Sequence, residues 1–428
     1  MSSEHGVEIS YSLAWDAREY AINKVKGLPE EGYEKILKYL HMMREANPGS
    51  HTSYERDSKG RFRFLFISFG QSLHGFYVAI QKVIVVDETF LKSKYKGVLL
   101  VATALDGNSD LYLIAFGVVD SENDLAWNWF VRQLNAVIAD EHSLAFVSDR
   151  NSSIAKAIAN VYPQAHHGIC IHHLLNNVVT YFSGKGVDGL VAKASKAYRA
   201  DDFCKLFTAI YSISPEIGNY LIEADVRKRA RCQFPGYRYD ISTTNPAESI
   251  NSALRTPREF PIIPLMHSIR EMMTRWFFQR RTLSSKHSKP LTIAVEKKID
   301  RRIDKGKKFK VFPISDDRHA IKAGFSVGIQ AHTLTDDIYT TASWRMAYEE
   351  SINPIGVPED AWTVPSHVEQ TKVLPLESRR APGRRKKRRY ETAEDKIRSS
   401  QGNQGSKGRK CSRCGIRGHD RRTCDRAI

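Results

Sequence analysis

Three carboxylate residues occupy positions from which they could share metal ions. Asp87 ends the apolar run 83–86, Asp149 ends the run 145–148, and Glu248 lies far downstream in a polar segment. A hydrophobic strand that ends on a carboxylate places it at the edge of a sheet, where open α/β sheets bind ligands. Because Mg²⁺ prefers hard oxygen ligands, the three residues together predict a magnesium site. Such a site indicates two-metal phosphoryl transfer.

The elements around these residues decide whether the carboxylates meet. Apolar patterning predicts this order of elements: strands at 83–87, 97–105 and 111–119, a helix at about 122–138, a strand at 145–149, a helix at 154–161, and a short strand or strand–helix junction at 167–173. This is the ribonuclease-H-like order, so the expected fold class is α/β with a mixed five-stranded sheet. The order sets the first and fourth strands side by side. Taken singly, either aspartate would more often cap a helix or bond a turn.

Composition bounds the class of protein. The net charge is +17, and residues 377–428 carry 18 Lys or Arg against 6 Asp or Glu. This basic tail predicts a nucleic-acid partner, the alternative being a solubilising disordered tail. No apolar run approaches the ~20 residues of a membrane span, and the N-terminus lacks the layout of a signal peptide. We therefore expect an intracellular protein with no membrane contact.

The last cysteines of the chain follow a metal-binding pattern. Cys411, Cys414, His419 and Cys424 have the spacing C-x2-C-x4-H-x4-C, which is that of a retroviral-type zinc knuckle. Three thiolates and one imidazole form a closed tetrahedral set for structural Zn²⁺, the alternative being four unliganded residues in a tail. Knuckles bind single-stranded nucleic acid. The residues expected to contact its phosphates are Arg413, Arg417, Arg421 and Arg422.

A run of six basic residues precedes the knuckle. It follows Pro382-Gly383 and predicts a nuclear-import sequence with non-specific DNA contact, so the expected location is the nucleus. The run lacks the Arg-Gly-Arg-Pro core of an AT-hook. Its members are Arg384, Arg385, Lys386, Lys387, Arg388 and Arg389.

The chain resembles the Mutator-like element (MULE, MuDR) transposases of plants. The blocks that carry the resemblance are 85–92 with 96–100, 115–130, and the glutamate block 245–251, which includes Asn251. The resemblance implies a ribonuclease-H-like core in which Asp87, Asp149 and Glu248 bind the catalytic Mg²⁺, and it implies cutting and joining of DNA strands. One departure is Glu88, where relatives often have Gly. This extra carboxylate either perturbs the metal site or points away from it.

Two further elements are read through the same resemblance. Cys170 and His173 match the family's Cys-x-x-His element and would brace the active site or meet DNA; alternatively they are a core thiol and a structural histidine. Residues 317–321 resemble the histidine end of a SWIM zinc module. Because 286–318 contains no cysteine, that module cannot bind zinc as written.

The patterning divides the chain into seven segments. We expect, in order, a helical and strand lead-in at 1–80, the ribonuclease-H-like core at 81–175, a helical insertion at 176–245, the C-terminal core helices at 246–290, a degenerate SWIM-like region with a tail helix at 291–375, a basic linker at 376–409, and the zinc knuckle at 410–425.

Three functional hypotheses remain open from the sequence. The first is a magnesium-dependent DDE transposase, and the second is a domesticated, catalytically silent DNA-binding regulator that has lost the modules presenting DNA. The third is an RNA-associated knuckle protein in which the core is irrelevant. Each hypothesis allows homo-oligomers.

Overall fold

The computed structural model describes residues 10–182, 186–306 and 331–377. The chain divides into two compact units, Met1–Arg379 and Arg380–Ile428, and all described residues belong to the first. None of the helices in these described ranges has the length and apolar character needed to cross a membrane.

Seven strands form one mixed sheet. In chain order they are β1 His51–Arg56, β2 Phe62–Ser68, β3 Val83–Phe90, β4 Val98–Leu105, β5 Leu111–Val119, β6 Ala145–Ser148 and β7 His166–Ile169. Their spatial order is β1-β2-β5-β4-β3-β6-β7. Strands β3, β4 and β5 are antiparallel neighbours, whereas β6 and β7 run parallel to β3.

The prediction of five strands is wrong by two, because β1 and β2 extend the sheet at one edge. Strand β2 belongs to the predicted lead-in at 1–80, where apolar and polar residues alternate at 61–64. Strand β1 is an edge strand whose residues are only half-buried or exposed, so its polar sequence lacks an apolar alternation. The expected neighbourhood of the first and fourth strands is confirmed, since Val85 of β3 lies opposite Val147 of β6.

Helices cover the sheet and form the insertion. In chain order they are α1 Tyr11–Lys26, α2 Pro29–Glu34, α3 Ile36–Ala46, α4 Gly70–Ala79, α5 Asp124–Asn135, α6 Ser152–Val161, α7 Ile171–Tyr181, α8 Asp188–Lys196, α9 Ala200–Ile213, α10 Pro215–Glu223, α11 Val226–Arg229, α12 Asn245–Ala253, α13 Ile262–Lys286, α14 Ile293–Gly306, α15 Thr341–Met346 and α16 Ser366–Gln370.

Two helices depart from the patterns expected of them. Helix α4 was not predicted, since its sequence contains two glycines; a Cβ at Gly75 would lie 2.3 Å from the Tyr112 hydroxyl and 2.4 Å from the Ala347 carbonyl. Glycine therefore lets α4 approach β5 and the C-terminal segment closely. Helix α14 was also missed, because its many charges read as a basic stretch rather than as an amphipathic helix.

The apolar side chains form two separate clusters. The larger one fills both faces of the sheet and includes Val85, Val101, Phe116 and Trp127, all fully buried. The second lies within the helical insertion and is built by α7 to α11, with Leu174, Val191, Ile210, Ile217 and Leu221 at its centre. The insertion thus has an apolar cluster of its own, distinct from the one that fills the faces of the sheet and joined to the sheet by Ile169 of β7.

Candidate active site

Asp87 lies in β3, an interior strand of the sheet. It pairs with Val101 of β4, and its side chain is 9% exposed. Asn251 donates a hydrogen bond from Nδ2 to Asp87 Oδ2 at 2.9 Å. Burial, followed by the charges of Glu248 and Asp149, raises the pKa of Asp87 to about 7. The three predicted carboxylates therefore lie within electrostatic range of one another.

Asp149 follows the last residue of β6, parallel to β3. Its Oδ1 accepts a hydrogen bond from the backbone amide of Asn151 at 2.9 Å, and the Asn151 side chain caps α6 through the amide of Ser153. Asn151 also donates to Glu122 from Nδ2. Asp149 thus has the turn-forming role expected of a lone aspartate. That role does not remove it from the cluster, since its second oxygen is not used by the turn.

Glu248 is brought to the sheet by α12. Pro246 occupies the first turn, where its fixed φ suits a helix start and its missing N–H costs nothing. The buried side chains Ala247, Ile250 and Asn251 pack α12 across β3, β4 and β5. Because positions 247, 248 and 251 share one side of the helix, packing those residues turns Glu248 toward the carboxylates of β3 and β6.

Two buried oxygens beside Asp87 have no hydrogen-bond partner. They are Glu88 Oε2 and Asn251 Oδ1. Burial, then the charges of Asp87 and Glu122, raises the pKa of Glu88 to about 8. Unpaired buried acceptors are costly, and hard oxygens without donors are suited to a divalent cation. The donor set fits Mg²⁺ in chemical type.

The carboxylates do not yet form a coordination shell. Within the three described ranges, no three His, Cys, Asp or Glu side chains are arranged so that they could hold one metal ion together. The expected convergence of Asp87, Asp149 and Glu248 on one metal pair is therefore not met by these side-chain positions. The three residues nevertheless interact through their charges. The sheet and α12 fix the backbone positions from which their side chains extend.

Cys170 and His173 lie at the junction between β7 and α7. Cys170 is fully buried and precedes the helix, with its amide bonded to the Ser148 carbonyl at 2.7 Å. Burial would raise the pKa of this thiol, but hydrogen bonds from His173 and Thr244 outweigh it and lower the pKa. The bond to Cys170, followed by the charges of Cys170, Asp149 and Glu248, raises the pKa of His173 to about 9 despite its burial. Cys170 and His173 therefore interact with the carboxylate cluster through the charge of His173.

The arginine that follows Asp149 contacts a pair of tyrosines. Arg150 directly follows Asp149, its guanidinium carbon is 5.0 Å from the centroid of the Tyr220 ring, and it donates to the Tyr220 hydroxyl. The ring of Tyr181 is 6.3 Å from that of Tyr220, and Tyr181 is 66% exposed. We call Arg150, Tyr181 and Tyr220 the arginine–tyrosine patch. Arg150 places a cation directly after Asp149 in the chain, and its contact with Tyr220 joins it to an exposed aromatic surface.

Several predicted site residues lie outside the described ranges. They include the four zinc ligands at 411–424, the arginines between them, the basic run 384–389 and the SWIM-like residues 317–321. These remain predictions from the sequence.

The sequence did not assign roles to Thr244, Arg150 or Glu122. Thr244 contacts Glu248, Cys170 and His173 at once. A threonine four residues before a glutamate at a helix start is the pattern that could have revealed it, because residues separated by four positions lie on one face of a helix. Arg150 and the tyrosines come from different elements, so no local pattern joins them.

Comparison with known proteins agrees with this region. Residues 83–177 match the model of the MULE transposase domain, a segment that holds Asp87, Asp149, Cys170 and His173 but ends before Glu248. The chain is similar to Protein FAR1-RELATED SEQUENCE 4 of Arabidopsis thaliana, with 21% identity over 145 residues, 34% of this chain and 20% of that protein. It is also similar to Protein FAR-RED IMPAIRED RESPONSE 1 of the same plant, with 21% identity over 155 residues, 36% of this chain and 19% of that protein. The chain thus matches about a fifth of the length of these relatives.

Proposed function

We propose that this protein is a Mutator-like DDE transposase or a descendant of one, with a ribonuclease-H-like core that binds DNA and cuts and joins its strands. The observation that carries the proposal is the electrostatic interaction of Asp87 in β3 with Asp149, directly after β6, and with Glu248 in α12. The match of residues 83–177 to the MULE transposase domain supports it independently.

Asp87, Asp149 and Glu248 would hold the divalent cations in this proposal. Bound Mg²⁺ would supply activation of the attacking hydroxyl or water and neutralisation of charge on the leaving oxygen. The protein's own part is to keep three carboxylates on rigid elements in a half-buried setting. Asn251 orients Asp87 by donating to Oδ2, and the turn at Asn151 fixes one oxygen of Asp149.

The arginine–tyrosine patch supports a nucleic-acid strand as the substrate. Base stacking on exposed aromatic rings and phosphate contacts from arginine are the usual means of holding single strands. Arg150 directly follows Asp149 in the chain. A nucleic-acid strand whose phosphate contacts Arg150 would therefore pass beside Asp149. The basic run 384–389, the Zn²⁺ knuckle at 411–424 and the nuclear location belong to the same proposal as added nucleic-acid contacts.

Metal-dependent nicking of supercoiled plasmid by the full chain tests the enzyme proposal. We expect open-circular product with Mg²⁺ or Mn²⁺ and none with EDTA. Asp87→Asn, Asp149→Asn and Glu248→Gln should each lower the nicking rate by about 10³-fold, since metal ions contribute several kcal/mol to such transition states. Asp188→Asn, an exposed carboxylate of the insertion, is the matched control. Nicking that survives Asp87→Asn would show a contaminating nuclease and remove the proposal.

Binding to a labelled single-stranded oligonucleotide tests the patch separately. Tyr181→Ala should weaken binding by about fivefold to 100-fold, because stacking on an aromatic ring contributes about 1–3 kcal/mol per base. Tyr20→Ala, which removes a tyrosine of α1 that is 68% exposed, is the control. Equal binding by both variants would exclude the patch from the substrate path.

A second candidate is a catalytically silent DNA-binding regulator. One relative is named for an impaired far-red response rather than for transposition, which favours this alternative. Occupancy of chromatin that is unchanged by Asp149→Asn, together with absent nicking, would support the regulator. Absence of the wild-type protein from chromatin would exclude it.

A further inference from the structure

The hydroxyl of Thr244 is placed among three side chains of the candidate site. Its Oγ1 lies 2.9 Å from Glu248 Oε1, 3.4 Å from Cys170 Sγ and 3.4 Å from His173 Nδ1. The residue is fully buried. Among these four side chains, the Thr244 hydroxyl is the group that connects Cys170 and His173 to the Glu248 carboxylate.

Thr244 does not use its hydroxyl in the way expected at its position. It directly precedes α12, where a threonine normally accepts a hydrogen bond from a backbone amide of the first turn and stabilises the helix start. Here the side chain makes no such bond, and Pro246 occupies the first turn. The hydroxyl is therefore committed to side chains, at a cost to the stability of α12.

The hydrogens available in this network decide which groups donate and which accept. An ionised carboxylate can only accept, so the single proton of the Thr244 hydroxyl goes to Glu248 Oε1, the nearest acceptor by 0.5 Å or so. The oxygen of Thr244 can then accept from Nδ1–H of His173. Cys170 Sγ receives the backbone amide of Thr244 at 3.3 Å. Each group is thus satisfied when His173 donates and Glu248 accepts.

We propose that Thr244 is a positioning residue for Glu248: its hydroxyl fixes Oε1 and leaves Oε2 as the oxygen offered to a divalent cation. This inference rests on the proposed metal-binding function of Glu248. Hydrogen bonds that orient a metal-binding carboxylate typically change metal affinity by about 10–100-fold when they are removed. Cys170 and His173 act in the same network by holding the Thr244 amide and hydroxyl.

Direct binding of Mn²⁺ to the full chain, followed by the electron paramagnetic resonance signal of the free ion, tests the inference without any DNA. Thr244→Val removes the hydroxyl and keeps the shape, so Mn²⁺ affinity should fall by about 10–100-fold. Thr244→Ser keeps the hydroxyl and should stay within about threefold of wild type. Thr243→Val, which alters the neighbouring threonine that makes none of these contacts, is the matched control.

A Glu248→Gln background keeps the test decisive if Thr244→Val alone perturbs folding. There the carboxylate is already lost, so adding Thr244→Val should cost no further Mn²⁺ affinity, whereas a general folding defect would cost the same in both backgrounds.

The outcomes separate the inference from the proposed function. If wild type binds no Mn²⁺, the proposed metal function fails. If wild type binds Mn²⁺ and Thr244→Val binds it equally well, the function stands and the positioning role is overturned. If Thr244→Ser is as weak as Thr244→Val, the hydroxyl is not the cause, which also overturns it.

Discussion

Two buried aspartates, one in β3 and one directly after the neighbouring strand β4, differ in the groups that surround their carboxylates. Asp106, directly after β4, accepts four hydrogen bonds: from Trp344 Nε1 at 3.0 Å, the Tyr348 hydroxyl at 2.8 Å, and the amides of Asn108 and Asp110 at 2.9 and 2.7 Å. Asp87 in β3 receives the side-chain donor of Asn251 and is surrounded by other carboxylates.

Their pKa values show what the donors achieve. Burial, then the charge of Asp110, raises the pKa of Asp106 to about 6, and Arg280 and the hydrogen bonds oppose this rise. Asp87 is less buried, at 9% exposed against 0%, yet its pKa reaches about 7, because the charges of Glu248 and Asp149 add to the effect of burial. Four donors make Asp106 a structural anchor, whereas Asp87 receives one side-chain donor, from Asn251, against two neighbouring carboxylates. This fold thus leaves the carboxylates around Asp87 short of hydrogen-bond donors, at a place where a bound cation could balance their charge.

The largest expected effect is at the structural anchor. Asp106→Ala leaves the Trp344, Tyr348 and backbone donors without an acceptor in the interior, so the free energy of unfolding should fall by about 3–5 kcal/mol. Urea denaturation followed by tryptophan fluorescence measures it. Asp16→Ala, at an exposed site of α1, should change it by under about 0.5 kcal/mol. A loss at Asp106 as small as this control would contradict the anchor role.

A change of opposite sign is expected at Asp87. Asp87→Asn removes an ionisable group whose folded-state pKa is raised from 3.8 to about 7. Such a group favours the folded state while it is protonated, and this contribution is lost as pH rises from about 4 to about 7. The variant should therefore gain stability over wild type in EDTA, and the gain should be about 1–3 kcal/mol larger at pH 8 than at pH 5.

Denaturation curves at the two pH values check this result. A variant that is less stable than wild type at both would place Asp87 in the same class as Asp106. Mn²⁺ sharpens the contrast, because an ion that binds only the folded wild type should reverse the order of stability at pH 8.

The smallest effect is expected at Glu88. Burial, followed by nearby carboxylates, raises the pKa of Glu88 to about 8, so the side chain is largely protonated at pH 6. Glu88→Gln then replaces a neutral acid by a neutral amide of the same shape, and unfolding should change by under about 1 kcal/mol at that pH. A larger loss in thermal or urea unfolding would show that Glu88 is a structural anchor like Asp106.

Local patterns predicted most of the sheet that carries the site. Strands β4 to β6 begin and end within one residue of the predicted positions, because each is a short apolar run bounded by turn residues. The predicted end of β3 at Asp87 is wrong by three residues, because its pairing with β4 continues through polar residues to Phe90. The neighbourhood of Asp87 and Asp149 followed from the strand order. Strand β1 could not be predicted in this way, since its pairing with β2 satisfies the backbone of a polar sequence.

The network around Glu248 was beyond the reach of local patterns. Thr244 meets Cys170 and His173 through contacts between residues more than 70 positions apart. The same is true of Asp106, whose partners Trp344 and Tyr348 come from the last described segment. Such contacts depend on packing of whole elements, and a single sequence contains no direct record of it.

The separate apolar core of the insertion has a consequence for synthesis of the protein. The chain completes the last strand at Ile169, but Glu248 emerges about 100 residues after Asp149. At roughly 5–20 residues per second, translation needs about 5–20 s to cover that stretch. During this time the insertion can gather around Leu174 and Ile210 on its own, while the sheet carries Asp87 and Asp149 without Glu248. A nascent chain thus acquires its full acidic cluster only when α12 docks, after every strand has been made.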